Sequence, residues 1–359
     1  MFIQRKNYLQ NFERIRIGEG RDLDNGLRLD RNEKVDVWSK DILKDIFCTK
    51  PDWFLSVYPE STNLYNKLAK FHNVKPSQIL LTSGIDGGLK TLYEIMTEPG
   101  DLVGIASPTY VMYKIYALMF QVQYYELMYN NRKFDHDNFN KFLEKKPTMF
   151  FLPNPNQPIE DSFKLDDLEK LAQKTLDNNC LFVIDEAYHL FGCDSAVELI
   201  KDYENIVIAR TFSKGFGVPS IRLGYLISNE DNMNVLSKTR FAHESNSLSN
   251  AVAEYLLDHY EIVQNYNQSV IDSREKLKQI LPEMGISAYG NTGNYLLLDL
   301  KSHENAVKFA TELRSKKIYI KGPWSAPYEK YVTITIGPIE KMKRFVDAAK
   351  EFSVKEGLC

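Results

Sequence analysis

Cys180-Leu-Phe-Val-Ile-Asp185-Glu-Ala-Tyr188, followed by Thr211-Phe-Ser-Lys214-Gly-Phe-Gly-Val-Pro-Ser-Ile-Arg222-Leu-Gly, decides how this chain is read. Four apolar residues, 181–184, read as a buried strand. Asp185 stands at its carboxyl end, where open α/β sheets place their ligands. Lys214 follows a second apolar run and lies 29 residues after Asp185 and 26 after Tyr188. That is about one strand–helix–strand crossover. Amines form Schiff bases with carbonyl compounds, and pyridoxal phosphate is the common aldehyde cofactor. Lys214 suits that role, with Thr211, Ser213 and Arg222 placed to neutralise a phosphate. Asp185 suits a protonated pyridine nitrogen, which keeps the ring an electron sink. Two plainer readings stay open here: an exposed loop lysine, and an aspartate capping the next helix.

The bulk properties narrow the field. At 359 residues there is chain for two cores. A hydrophobic share of 43% and a charged share of 26% are those of a globular protein. A net charge of −3 offers no field for nucleic acid, and no basic stripe is interleaved with aromatics. The opening residues lack the apolar core of a signal peptide, and no apolar run approaches the roughly 20 residues of a membrane span. The cysteines at 48, 180, 193 and 359 are scattered, which fits a reducing cytoplasm. The histidines at 72, 136, 189, 243, 259 and 303 show no metal-ligand spacing, so no metal is expected. GxSxG, GxGxxG and P-loop motifs are absent.

Along the chain, residues up to about Asp30 read as a polar, irregular arm. From Pro59 strands and helices alternate. Strands are expected at 78–82, 102–106, 122–127, 148–152, 181–184, 206–209 and 223–227. Helices are expected at 64–71, 87–96, 110–120 and 165–176. Such alternation indicates an α/β fold, a large domain whose mostly parallel central sheet is covered by helices. A long helical stretch at 252–266, continued at 273–281, leads to strands at 295–299, 318–321 and 331–336. Helices at 304–315 and 339–352 cover these, making a smaller α+β domain. The expected division is 1–45 as arm and part of the small domain, 46–255 as the large domain, and 256–359 as the small one.

A third signal is Leu81-Thr-Ser-Gly84-Ile85-Asp86-Gly87-Gly. It follows a strand and opens a helix, whose free N–H groups and positive dipole end suit a phosphate. With Leu29-Asp-Arg31-Asn32-Glu, Tyr58-Pro-Glu, Ser107-Pro-Thr-Tyr110, Asn154-Pro-Asn-Gln157-Pro158, Arg222-Leu-Gly-Tyr and Thr333-Ile-Thr-Ile-Gly337 in order, the chain resembles the fold-type I pyridoxal-phosphate enzymes. These are the aspartate aminotransferase superfamily, and the chain is most similar to its histidinol-phosphate aminotransferase branch. The resemblance spans nearly the whole chain. It implies pyridoxal 5′-phosphate held through Lys214. The cofactor phosphate would sit on the amides of Ile85, Asp86 and Gly87, and on Thr211, Ser213 and Arg222. Tyr110 would stack on the ring, and Tyr188 would bond its 3-hydroxyl. Tyr58 would reach the phosphate from the second subunit of a homodimer. Lys214, Asp185 and Tyr188 carry the catalysis in this reading.

Three departures bear on the substrate. Gln157 stands where the family has an asparagine on the 3-hydroxyl. Thr333 stands where the family has an arginine for the α-carboxylate of amino-acid substrates, a grip that threonine cannot supply. Lys321 stands near the place of a phosphate-binding arginine and meets phosphate as a point charge. Together with Asn32, these residues suit an aminotransferase acting on a small phosphorylated ketone or amine without an α-carboxylate. Its amino donor would be anchored by Arg31 or Arg28. The alternatives are decarboxylation of a phosphorylated amino acid, and a non-catalytic binding protein on the same scaffold.

Overall fold

The computed structural model describes residues 20–159 and 162–358. Residues 1–19 of the expected N-terminal arm, and Glu160, lie outside the described residues. The described chain begins with β1 (Leu27–Leu29) and α1 (Lys40–Cys48). It continues with α2 (Thr62–His72), β2 (Ile79–Thr82), α3 (Gly84–Met96), β3 (Leu102–Ser107), α4 (Met112–Met119), β4 (Gln123–Met128), α5 (His136–Leu143) and β5 (Met149–Pro153). Then come α6 (Leu165–Asp177), β6 (Leu181–Asp185), β7 (Ile206–Thr211), β8 (Gly224–Ile227), α7 (Glu230–Leu236), α8 (Ser247–Asp258) and α9 (Tyr260–Glu283). The last part holds β9 (Ser287–Tyr289), β10 (Tyr295–Asp299), α10 (His303–Ser315), β11 (Ile318–Ile320), β12 (Tyr331–Thr335) and α11 (Ile339–Glu356).

Seven strands form one sheet in the order β2-β8-β7-β6-β5-β3-β4. Strands β7, β6, β5, β3 and β4 run parallel to one another, while β8 is antiparallel to both β2 and β7. The period-2 alternation of the strands sorts their side chains into two cores. Phe182, Ile184, Ile206 and Ile208 point to one face, beneath residues of α2, α5, α6 and α8. Leu181, Val183, Val207 and Ala209 point to the other, beneath α3, α4 and α7. Both faces are buried, so β6 and β7 read as unbroken apolar runs. This is the large, mostly parallel sheet expected.

A further core gathers Leu296, Leu298, Val332 and Ile334 of an antiparallel β12-β10-β9 sheet with Leu277, Phe309 and Phe345 of α9, α10 and α11. Leu29 joins this core because β1 pairs in parallel with β11, Leu27 opposite Ile318 and Leu29 opposite Ile320. That pairing corrects the reading of everything before Asp30 as irregular. The run is three residues long, and its partner lies far along the chain, beyond the reach of periodicity. The expected helix at 252–266 is also corrected. It breaks at His259, whose backbone (φ −115, ψ 47) closes α8 by donating to Tyr255 O before α9 begins. Helix α9 then runs unbroken through 267–272, where no helix was expected.

The fold brings the C-terminal ends of β6 and β7 and the N-terminus of α3 to one cleft. Two glycines permit this. A Cβ on Gly84 (φ +66) would fall 2.6 Å from Arg222 Nη2, and one on Gly224 would fall 2.6 Å from the carbonyl carbon of Gly84. Strand β8 therefore packs backbone against backbone under the start of α3.

Candidate active site

The cleft is lined by Arg31, Ile85, Asp86, Tyr110, Gln157, Asp185, Tyr188, Thr211, Ser213, Lys214 and Arg222, all expected from the sequence. Asp185 ends β6 and is 6% exposed. Tyr113 of α4 donates to its Oδ2 at 2.5 Å, and the Ala187 amide donates to Oδ1 at 2.9 Å. Burial raises its carboxyl to about 6, against these two hydrogen bonds. Among the described residues no lysine or arginine forms an ion pair with it. Tyr113 was not singled out from the sequence. The one local signal was its place three residues after Tyr110, which lies just ahead of α4.

Lys214 lies just beyond β7. Burial lowers its ammonium to about 8, with Glu33 opposing and Lys321 and Arg222 adding to the effect. Its Nζ donates to the Arg31 carbonyl at 2.7 Å. Thr211 Oγ1 lies 3.0 Å from Ser213 Oγ, and Arg222 Nη1 reaches that serine at 3.5 Å. Arg222 Nη2 is 3.7 Å from Asp86 Oδ2. Tyr110 donates to Asp86 Oδ1 at 2.7 Å, which fixes its ring over the mouth of the cleft. Asn32 Nδ2 donates to the Tyr188 hydroxyl at 2.9 Å. Asn32 itself is buried and tied to Thr335 through both its amide N–H and its Oδ1. It thus stands behind Tyr188 instead of lining the cleft.

The remaining candidates are placed elsewhere. Gly87 sits in the first turn of α3. Tyr58 is 77% exposed and stacks on His243 at 4.5 Å, outside its own chain's cleft. Lys321 and Thr333 are bridged backbone to backbone at 2.7 and 3.0 Å. Trp324, unnoticed in the sequence, joins them: its indole N–H donates to Thr333 Oγ1 at 2.9 Å, and its ring lies 4.6 Å beneath Lys321 Nζ. Thr333 is 1% exposed. Its hydroxyl is therefore committed to an indole. Arg28 faces Glu33 at 3.9 Å and does not line the cleft. Among the described residues no group of three or more His, Cys, Asp or Glu is arranged to hold a metal ion, and no helix is long and apolar enough to cross a membrane.

The raised carboxyl of Asp185 has a measurable sign. Its folded value of about 6 exceeds the ordinary 3.8. The unfolded chain therefore gives up the proton first, and stability falls as pH rises from 3.8 to about 6. In the cofactor-free protein, Asp185→Asn should raise stability by about 1–3 kcal/mol at pH 8. The gain should shrink as pH drops from about 6 towards 3.8. Thermal melts across that range check it, and a variant that melts below the parent at pH 8 contradicts it.

Comparison with known proteins accords with this geometry. The family model for aminotransferase class I and II matches residues 25–348. A histidinol-phosphate aminotransferase of Carboxydothermus hydrogenoformans is 30% identical over 89% of this chain and 91% of its own. A dihydroxyacetone phosphate transaminase of Campylobacter jejuni is 28% identical over 93% of this chain and 92% of its own. Among solved structures, the histidinol-phosphate aminotransferase of Sinorhizobium meliloti in complex with pyridoxal-5′-phosphate superposes with a TM-score of 0.85. It has 22% identity and covers 92% of this chain and 91% of that one. With a family model spanning most of its length and the site residues gathered at the strand ends, this chain belongs to the class I and II aminotransferases.

Proposed function

We propose that the protein is a pyridoxal-phosphate-dependent aminotransferase whose carbonyl substrate is small, carries a phosphate and lacks an α-carboxylate. The cleft fits the cofactor by its donor set. Asp185 is a buried carboxylate in want of a cation, and a helix N-terminus with Arg222 and two hydroxyls awaits an anion. Thr109 Oγ1, in the cleft wall, is buried without a hydrogen-bond partner among the described residues. When bound, pyridoxal phosphate supplies an aldehyde for the amino group and a ring that withdraws electrons. Asp185 holds a proton on the ring nitrogen. Lys214, its charge disfavoured by burial, moves the proton at the substrate carbon. Tyr188, oriented by Asn32, and Gln157 would hold the ring's 3-hydroxyl, and Tyr110 would cover the ring face.

The observation that carries the substrate reading is Thr333. Its hydroxyl takes the Trp324 indole N–H at 2.9 Å, so the position offers no charge to a carboxylate. A buried carboxylate without a cation costs several kcal/mol, on the order of the desolvation penalty. Lys321 supplies a cation nearby, close enough for its charge to lower Lys214. The names of two relatives, histidinol-phosphate aminotransferase and dihydroxyacetone phosphate transaminase, share a phosphorylated substrate, which supports the same reading.

We also read the working unit as a cytoplasmic homodimer. Trp53, Leu55, Val57, Tyr58 and Phe241 are exposed apolar side chains, an apolar surface suited to a second copy. Tyr58 on that surface would complete the partner's phosphate site. Cys48 and Cys180 are free thiols, in keeping with a reducing compartment.

Three outcomes are expected. Borohydride added to the protein with its cofactor should tag the Lys214 peptide, and Lys214→Ala should be inert yet folded. A tag on another lysine removes the assignment. Phosphorylated ketones should exceed their dephosphorylated analogues in kcat/KM, and Lys321→Ala should erase most of that preference, by roughly tenfold or more. Equal rates on both would overturn the substrate reading, and carbon dioxide release without a keto product would assign decarboxylation instead. Finally, inactive Lys214→Ala subunits mixed with Tyr58→Ala subunits should recover turnover above the sum of the two. Full activity in a sedimenting monomer would sink the dimer.

A further inference from the structure

Transamination in two halves requires an amino donor, and an amino-acid donor brings the α-carboxylate that Thr333 does not receive. The cleft must anchor that carboxylate somewhere. Among the described residues, its lining holds the cations Arg31, Lys214 and Arg222. Lys214 is the reacting amine. Arg222 belongs to the anion site at the start of α3, through Ser213 and Asp86. Arg31 remains.

Its geometry suits the task. The side chain is 38% exposed, and its ion-pair contact is Nε to Asp30 Oδ2 at 3.8 Å. Asp30 is itself shared with Arg21, whose Nη1 donates to Oδ1 at 3.1 Å. The two terminal nitrogens of Arg31 make no hydrogen bond among the described residues. They are the planar fork that matches a carboxylate in bidentate fashion. Its backbone is placed with respect to the chemistry, because the Arg31 carbonyl accepts from Lys214 Nζ at 2.7 Å. On the next residue, the Asn32 side chain is bonded to Tyr188 and Thr335. The guanidinium therefore hangs from a fixed point beside the reacting amine. Arg28 and Lys321 stand outside that lining: Arg28 faces Glu33, and Lys321, over the Trp324 ring, is the cation read for the acceptor phosphate.

We propose that Arg31 is the carboxylate anchor for the amino donor, so that the two substrates of one cleft are held by different cations. The donor carboxylate goes to Arg31, and the acceptor phosphate goes to Lys321. This rests on the transaminase reading and deepens it. A ligand held at Arg31 meets a guanidinium from the segment after β1, not from β12, so donor and acceptor are selected independently.

The test uses the holoenzyme and separates the halves. The donor half-reaction is followed with L-glutamate and L-alanine by the change in cofactor absorbance. Binding of succinate, a non-reacting dicarboxylate, and of inorganic phosphate is measured by calorimetry. Arg31→Gln should raise the half-saturating donor concentration and the succinate Kd by roughly tenfold or more. Phosphate binding and the half-reaction with a phosphorylated ketone should stay within about twofold. Arg31→Lys should recover part of the loss, as a charge without the fork. Unchanged donor and succinate constants in Arg31→Gln overturn the anchor while leaving the transaminase reading intact. Loss of phosphate binding instead overturns it in favour of a phosphate role. A wild-type holoenzyme that neither turns over amino acids nor binds succinate overturns both readings.

Discussion

A buried ion pair beneath the strand ends underlies the site. Glu186 and Arg210 are almost wholly inaccessible, and Arg210 donates through Nε and Nη2 to Glu186 Oε2 at 3.0 and 2.6 Å. Ser195 and the Ala196 amide complete the carboxylate, and His72 Nδ1 lies 3.1 Å from Arg210 Nη1. Two charges removed from water hold together only when so fully bonded. Burial and Arg210 keep His72 and His189 neutral beside the pair. Glu186 follows Asp185, and Arg210 precedes Thr211. The pair therefore pins the turn after β6 to the end of β7, and with it the Asp185 carboxylate to the Thr211 and Ser213 hydroxyls.

The electrostatics of the cleft follow from one cause acting on opposite charges. Burial raises the Asp185 carboxyl to about 6 and lowers the Lys214 ammonium to about 8. Burial disfavours both charged forms, so neither ion adds to the stability of the fold. Tyr113 moderates the first and Glu33 the second. Glu33 is in turn held by Arg21 through paired contacts at 3.0 and 3.2 Å.

Much of this was legible in the sequence, for physical reasons. Strands β6 and β7 are buried on both faces, so their apolar runs mark their ends, and Asp185, Thr211 and Lys214 follow directly. The turn into α3 announced itself through Gly84. The unread parts depend on contacts that no local pattern encodes. Tyr113 meets Asp185 from 72 positions away, and Trp324 finds Thr333 only after a loop folds back across β12. Strand β1 offers three residues of mixed burial and gains its identity from β11. Gln157, by contrast, was named from a motif and does line the cleft, though its neighbour Glu160 lies outside the described residues.

The pairing of β1 with β11 has a consequence for biosynthesis. Leu27 leaves the ribosome early, but its partner Ile318 is made 291 residues later. At translation speeds of roughly 5–20 residues per second that is a wait of about 15–60 s. The seven-stranded sheet has all its strands by Ile227, well before β11 exists. The large sheet can thus form on the emerging chain while Arg31, Asn32 and Glu33 hang free of it. The contacts of Lys214 with the Arg31 carbonyl and the Glu33 charge thus wait until the second core captures β1, when synthesis is nearly done.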